Sequence, residues 1–166
     1  MSTFVSVGNA TQPFPRLLDA VCEIADRLPQ PVFIQHGSTP IGKCSCTAVA
    51  FVEMGEFERL VAKSDLLIIH AGAGSMIHAA RAGRVPVVMP RRARHGELVD
   101  DHQVEFARLL ARSGRIVLVE EPADLESAVA TALSRQRPGG GAAAPSAMAM
   151  LQLVAATLDK YANAQR

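Results

Sequence analysis

The residues best suited to chemistry follow a short apolar run near the middle of the chain. Leu66 to Ile69 are apolar without alternation, and His-Ala-Gly-Ala-Gly-Ser follows them as residues 70–75. Such a run is typical of a strand buried on both faces of a parallel sheet. A glycine turn between a strand and a helix leaves free amides at the helix start, where the helix dipole favours an anion. The pattern therefore predicts a strand, a turn and a helix whose N-cap is Ser75. It also predicts a binding site for a phosphate or diphosphate at the start of that helix.

Two further groups of polar or glycine residues follow other apolar runs. The first group, near the start of the chain, consists of Gly8, Asn9 and Thr11. The second lies in an arginine-rich segment after residue 89 and consists of Arg91, Glu97, Asp101, His102 and Gln103. Each group also has a plainer interpretation. Glycine turns are common for steric reasons alone, Arg91, Arg92 and Arg94 fit a solvated loop, and Gln35 and His36 fit ordinary surface.

The elements that must position these residues alternate regularly between strand and helix. Apolar runs predict strands at Thr3–Val7, Val32–Gln35, Ala48–Val52, Leu66–Ile69, Val85–Met89 and Ile116–Val119. Helical spacing predicts helices at Phe14–Leu28, Met54–Lys63, after the glycine turn, at Val99–Ser113, at Ala123–Arg135 and at Met148–Tyr161. We therefore expect a Rossmann-like domain over residues 1–136, a flexible linker over 137–147 and a C-terminal amphipathic helix over 148–166.

This alternation predicts an α/β fold with a doubly wound parallel sheet in the strand order 3-2-1-4-5-6. In that order the first and fourth strands are neighbours at the switch point, where ligands bind beyond the carboxyl ends of the strands. Residues 8–11 and 70–75 then flank one crevice, and the loop after the fifth strand opens on the same edge.

Composition limits the function classes that remain. The chain has 166 residues, a net charge of +1 and 4% aromatic residues, so we expect one domain and no nucleic-acid partner. It shows no signal peptide and no apolar run near the roughly 20 residues that span a bilayer, which predicts a cytoplasmic location. Cys22, Cys44 and Cys46 have no zinc-site spacing, so we expect reduced thiols and no metal site.

At this point several motifs together resemble a known family. They are Val-Ser-Val-Gly near the start, His-Ala-Gly-Ala-Gly-Ser, Ala-Gly-Arg-Val-Pro-Val-Val-Met-Pro and Glu-Leu-Val-Asp-Asp-His-Gln. The chain resembles the C-terminal, donor-binding domain of GT-B glycosyltransferases of family 28. It is especially similar to the small subunits of split enzymes that act in dolichol-linked glycan synthesis and in bacterial exopolysaccharide synthesis.

The resemblance implies a UDP-sugar donor and assigns roles to positions. Gly8 and Asn9 would lie near the diphosphate, residues 70–75 around the phosphates and uridine, and Gln103, with Asp101 and His102, near the sugar. Family members often carry a glutamate, which binds the ribose, where this chain has His78. The full set of expected ligand contacts is Gly8, Asn9, Thr11, His70, Ala71, Gly72, Ala73, Gly74, Ser75, His78, Arg91, Glu97, Asp101, His102 and Gln103.

The resemblance also implies inverting transfer without a metal, because amides, a helix N-terminus or arginines can stabilise the departing diphosphate. Inversion needs a base. The sequence does not reveal one, and His70 is the candidate on this chain. We expect the base on a separate membrane-anchored subunit that binds a lipid-linked or exopolysaccharide acceptor. That subunit would recruit this chain to the membrane, partly through the C-terminal helix.

Two alternatives remain open. One is a regulatory module that binds a nucleotide sugar without activity. The other is a different Rossmann-like nucleotide enzyme. Two features argue against it, because the first turn lacks Gly-x-Gly-x-x-Gly and the second strand ends without an acidic residue.

Overall fold

A single parallel sheet organises the molecule. The computed structural model describes residues 1–136, 148–149, 151–157 and 159. The strands are β1 Thr3–Ser6, β2 Val32–Gln35, β3 Thr47–Val49, β4 Leu66–His70, β5 Val87–Met89 and β6 Val117–Leu118. Their order in the sheet is β3-β2-β1-β4-β5-β6, and all neighbours pair in parallel. The predicted doubly wound sheet is confirmed, with β1 and β4 side by side at its centre.

Five helices accompany the strands in the segment 1–136: four connect successive strands, and the fifth follows β6. They are α1 Pro15–Ile24, α2 Met54–Lys63, α3 Ala73–Arg81, α4 His102–Arg112 and α5 Leu125–Arg135. Short 3₁₀ turns occupy Ala25–Arg27, Ala93–His95 and Pro122–Asp124.

The starts of α3 and α4, which lie near the carboxyl edge of the sheet, differ from prediction. Gly72, not Ser75, is the N-cap of α3, so the glycine turn is shorter than expected and Ser75 lies inside the helix. Helix α4 begins at His102 rather than Val99, because Asp100 and Asp101 use their carboxylates within the preceding loop. Asp100 accepts from the His102 amide at 3.1 Å and Asp101 from the Ala93 amide at 2.9 Å.

The core has two layers, one on each face of the sheet. Along β1 and β4, side chains alternate between the layers, as strand geometry requires. Val5 and Ile68 pack with α1 and α5, whereas Phe4 and Leu67 pack with α2, α3 and α4. This double burial explains why β4 has an unbroken apolar sequence.

The C-terminal segment contributes to the second layer. Residues 148–149, 151–157 and 159 are helical, as predicted. Val154 is buried in the layer that contains Phe106 and Leu110, and Leu153 packs against it. The expectation that this helix offers its apolar stripe to a partner is therefore corrected for its described part, since burying Val154 against the domain's own core removes apolar surface from water. The predicted linker 137–147 lies outside the described residues. So do three of the apolar residues whose three- and four-residue spacing predicts the stripe, namely Ala147, Leu158 and Tyr161.

Candidate nucleotide site

A cavity opens where β1 and β4 end. Ser6 of β1 is in register with Ile69 of β4, so the loops that follow the two strands meet at the carboxyl edge of the sheet. The cavity has a volume of about 340 Å³, which is in the range of small-molecule sites. Seven predicted site residues line it: Gly8, Asn9, His70, Gly72, Gly74, Ser75 and His78. Five lining residues were not predicted: Ser6, Gln35, Val52, Met54 and Phe57.

The N-terminus of α3 forms one wall of this cavity. The Gly72 carbonyl accepts the first helical bond, from the Met76 amide at 3.1 Å. The amides of residues 73–75 therefore precede any intrahelical acceptor, and no side chain caps them. Ideal Cβ geometry at Gly74 meets no atom within 4 Å, so the space in front of the first turn is open. Three N–H groups and the positive end of the helix dipole are suited to bind an anion there.

The imidazole of His70 is held between two glycines. A Cβ atom on Gly8 would lie 2.4 Å from Cε1 of His70, and one on Gly72 would lie 2.2 Å from Nε2. Gly8 also has a φ of +77°, a conformation that side chains disfavour. The two glycines are therefore required as much by the ring between them as by the turns they form.

The electrostatic environment keeps His70 neutral. Burial of the ring and the nearby Arg91 guanidinium lower the pKa of His70 to about 4, against a small opposing effect of the Ser6 backbone. Its Nδ1 is buried without a hydrogen-bond partner. A group with this pKa is a weak proton acceptor at neutral pH, so the environment favours a neutral polar contact over a general base.

A chain of hydrogen bonds sets the orientation of Asn9. The Gly8 amide donates to Ser6 Oγ at 3.2 Å, and Ser6 Oγ donates to Gln35 Oε1 at 2.9 Å. Gln35 Nε2 then donates to Asn9 Oδ1 at 3.0 Å. Asn9 is exposed, and the bond from Gln35 leaves its Nδ2 as the end that can donate to a ligand. Interpreting Gln35 as ordinary surface is wrong, because it is buried and links the ends of β1 and β2.

An aromatic and apolar wall closes the other side of the cavity. The His78 ring lies edge-on to Phe57, with centroids 5.6 Å apart, and its Nδ1 is 3.6 Å from Glu58 Oε1. Val52 and Met54 continue this wall. His78 thus faces the cavity, as expected from its position on α3.

Arg91 does not occupy the position expected of a diphosphate contact. Its side chain is fully buried, and its guanidinium donates to the backbone carbonyls of Val7, Gln12 and Glu97 at 2.8, 2.8 and 3.0 Å. The guanidinium carbon also lies 4.8 Å from the centre of the Phe14 ring. The prediction failed because three carbonyls behind the site attract the cation more effectively than open solvent does.

Glu97 is likewise a structural residue. It is 2% exposed and forms a two-pronged ion pair with Arg16, at 3.0 and 2.9 Å, while accepting from the Arg92 amide at 2.9 Å. Arg16 in turn donates to the carbonyls of Pro90 and Glu120. The Glu97 carboxylate therefore accepts hydrogen bonds from within the protein and does not face a ligand.

The remaining predicted residues do not line the cavity. Gln103 is buried, and its Oε1 accepts from the Arg91 amide at 3.2 Å. His102 bonds to Asp100, and Thr11 is exposed beside Gln12. Asp101 lines a separate charged groove of about 460 Å³ with Arg92, Arg94, Val104, Glu105, Arg108, Glu120 and Glu121. Ala71 is buried in the turn, and Ala73 is partly buried as the first residue of α3.

Comparison with known proteins identifies the family. The model of the glycosyltransferase family 28 C-terminal domain matches residues 2–153. The chain belongs to this family. The match extends across the sheet, the glycine turn and the loop after β5, so it includes every residue of the cavity.

Relatives with curated descriptions share part of this family 28 domain. A protein from Cryptococcus neoformans described as UDP-N-acetylglucosamine transferase subunit ALG13 is 45% identical over 76 residues, or 45% of this chain and 36% of the relative. The protein of the same description from Yarrowia lipolytica is 36% identical over 89 residues, or 52% of this chain and 40% of the relative. The matched stretches thus span well under half the length of these relatives.

Solved glycosyltransferase structures share the fold. The glycotransferase of kitacinnamycin superposes with a TM-score of 0.63 at 18% identity, over 94% of this chain and 39% of that one. MurG from Acinetobacter baumannii superposes with a TM-score of 0.56 at 20% identity, over 92% of this chain and 49% of that one. These likenesses confirm that the family 28 domain has the Rossmann-like fold of GT-B enzymes.

Within the described ranges, no helix is long and apolar enough to cross a membrane. In the same part of the chain, no group of three or more His, Cys, Asp or Glu side chains could hold a metal ion. The three cysteines, all described, are free thiols.

Proposed function

We propose that this chain binds a UDP-sugar and supplies the donor half of a glycosyltransferase site. The observation that carries the proposal is the convergence, in one cavity, of the free amides of α3, the oriented Asn9 and the neutral His70. The names of the relatives, UDP-N-acetylglucosamine transferase subunits, support UDP-sugar as the donor class.

The diphosphate is assigned to the N-terminus of α3. Negative charge develops on the departing diphosphate as the bond to the sugar breaks, and fixed amides stabilise that charge without reorganising. The buried guanidinium of Arg91 adds positive potential from behind the loop. With these groups in place, we expect transfer to proceed without a resident metal, and added EDTA to leave the rate unchanged.

The nucleoside is assigned to the wall formed by Val52, Met54, Phe57 and His78. Apolar side chains suit a base, and a histidine can hydrogen-bond a ribose hydroxyl. Asp101, His102 and Gln103 form the start of α4, outside the lining of this cavity, and we assign the sugar to that neighbouring region. Replacing Gln103 with alanine should therefore reduce transfer more than it reduces affinity for plain UDP.

The acceptor and the catalytic base are assigned to a separate subunit. The relatives are named as subunits, which supports a partner. The low pKa of His70 at about 4 is unfavourable for a base at neutral pH, which supports a base from outside this chain. We propose inverting transfer to a lipid-linked or exopolysaccharide acceptor at the cytoplasmic face of a membrane, to which the partner would recruit this chain.

Calorimetry tests the donor assignment directly. UDP, UDP-N-acetylglucosamine and UDP-glucuronic acid should each bind, whereas NAD, the ligand expected for another Rossmann-like enzyme, should not. Transfer to a lipid-linked acceptor is then measured with the partner subunit added. Binding of UDP-sugars with no turnover alongside any partner would instead identify a non-catalytic binding module.

A further inference from the structure

We propose that Arg91 is a positioning residue that fixes the Gly8–Thr11 loop in the shape needed to bind the nucleotide diphosphate. This inference deepens the proposed function and rests on it for the identity of the ligand. It concerns a residue outside the cavity lining, which acts through the loop rather than by touching the donor.

The guanidinium of Arg91 binds both ends of the Gly8–Thr11 loop. Nη2 donates to the carbonyl of Val7, the residue directly before Gly8, and Nη1 donates to the carbonyl of Gln12, directly after Thr11. Both bonds are 2.8 Å long. One rigid, planar group therefore holds both ends of the loop and fixes the distance between them.

Further contacts hold the guanidinium in place from behind. Nη1 also donates to the Glu97 carbonyl at 3.0 Å, so the anchor is tied to the loop after β5. The ring of Phe14 packs against the guanidinium, and the Phe14 amide donates to Thr39 Oγ1 at 2.8 Å, in the loop after β2. Loops that follow β1, β2 and β5 thus meet around one buried cation.

Burial makes this arrangement specific. Arg91 is 0% exposed, and its Nε is buried without a partner. The nearby carboxylate of Glu97 is already paired with Arg16. Burying a charge is unfavourable unless its bonds compensate, so the side chain depends on the three carbonyls, and the carbonyls depend on it.

A lysine variant separates positioning from charge. Arg91→Lys retains the cation but cannot reach the carbonyls of Val7 and Gln12 together, so we expect UDP affinity to fall about tenfold or more. Val129→Ala, which removes buried volume in α5 away from the loop, is the destabilised control and should bind UDP within twofold of wild type.

Chemical rescue supplies the second readout. Arg91→Ala leaves a buried gap lined by three carbonyls, and guanidinium ion at low millimolar concentration should fill it and restore UDP affinity, whereas sodium at equal ionic strength should not. In amide NMR spectra of the unliganded protein, the signals of Gly8, Asn9 and Thr11 should shift in both variants, while those of α5 stay in place. Guanidinium should return the loop signals to their wild-type positions in Arg91→Ala, where the gap exists.

The outcomes are separable. An Arg91→Lys protein that is folded and binds UDP like wild type, or loop amides that do not move, would overturn the positioning role. If Arg91→Ala does not fold, the lysine variant alone decides by the same measurements. If wild type does not bind UDP, the proposed function fails, and the loop amide shifts and their rescue still decide whether Arg91 sets the loop.

Discussion

Replacing Gly74 with valine gives the sharpest test of the proposed anion-binding site at the N-terminus of α3. Gly74 is the second residue of α3 and lines the cavity, and an ideal Cβ there meets no atom within 4 Å. A valine side chain would therefore begin in open space in front of the first-turn amides, where its Cβ displaces no protein atom. Since glycine is a poorer helix former than valine by about 0.4 kcal/mol, the fold should be retained or slightly stabilised.

The expected loss of affinity follows from the hydrogen bonds that valine blocks. A diphosphate at the helix start accepts charge-assisted bonds worth about 1.5–3 kcal/mol each. Excluding two of them costs at least about 3 kcal/mol, which corresponds to a UDP affinity about 100-fold weaker. Calorimetry measures the affinity, and urea unfolding measures the stability.

Gly55 provides a matched control. It is the second residue of α2, its ideal Cβ also meets no atom within 4 Å, and it does not line the cavity. Gly55→Val should bind UDP as wild type does. Unchanged affinity in a folded Gly74→Val protein, or an equal loss in Gly55→Val, would refute the assignment of the diphosphate to α3.

Three further predictions concern the core around the site and the C-terminal helix. Gly72→Ala places a Cβ 2.2 Å from His70 Nε2, so it should lower the free energy of unfolding in urea by about 1–3 kcal/mol. A double-mutant cycle should show a smaller loss when His70 is also replaced with alanine. The pKa of His70 is lowered to about 4 in the folded state, so the unfolded chain takes up a proton first as the pH falls. Relative to His70→Asn, wild type should therefore lose about 3 kcal/mol of stability between pH 7 and pH 4. Urea unfolding at several pH values measures this loss. Val154→Ala should lower stability by about 1–2 kcal/mol in thermal or urea unfolding, whereas no loss would show that the described helix does not pack on this domain.

The order of the strands could be predicted because its causes are local and repetitive. Apolar runs such as 66–69 mark strands buried on both faces, and the handedness of crossovers leaves few arrangements. The meeting of Gly8 with residues 70–75 then follows from topology alone. Helix starts were less predictable, because Gly72 and Asp101 act through backbone geometry and loop bonds that the residue types do not specify.

The charged residues of the loop after β5 could not be assigned from sequence. An arginine beside a proposed phosphate seat fits a ligand contact and an internal anchor equally well. The distinction depends on distant acceptors, such as the Val7 carbonyl, 84 residues away. Gln35 had a usable signal: a polar residue that ends a strand next to β1 faces the same edge as the glycine loops.

The glycines show how one sequence feature can answer two physical demands. Gly8 needs its positive φ for the turn, but its missing Cβ also makes room for the His70 ring, and Gly72 makes room on the ring's other side. A ring packed this closely is largely shielded from water, and this shielding, with the Arg91 charge nearby, is what lowers its pKa. Enlarging either glycine would therefore change the pKa of His70 as well as its position, so the steric and electrostatic properties of the site are coupled.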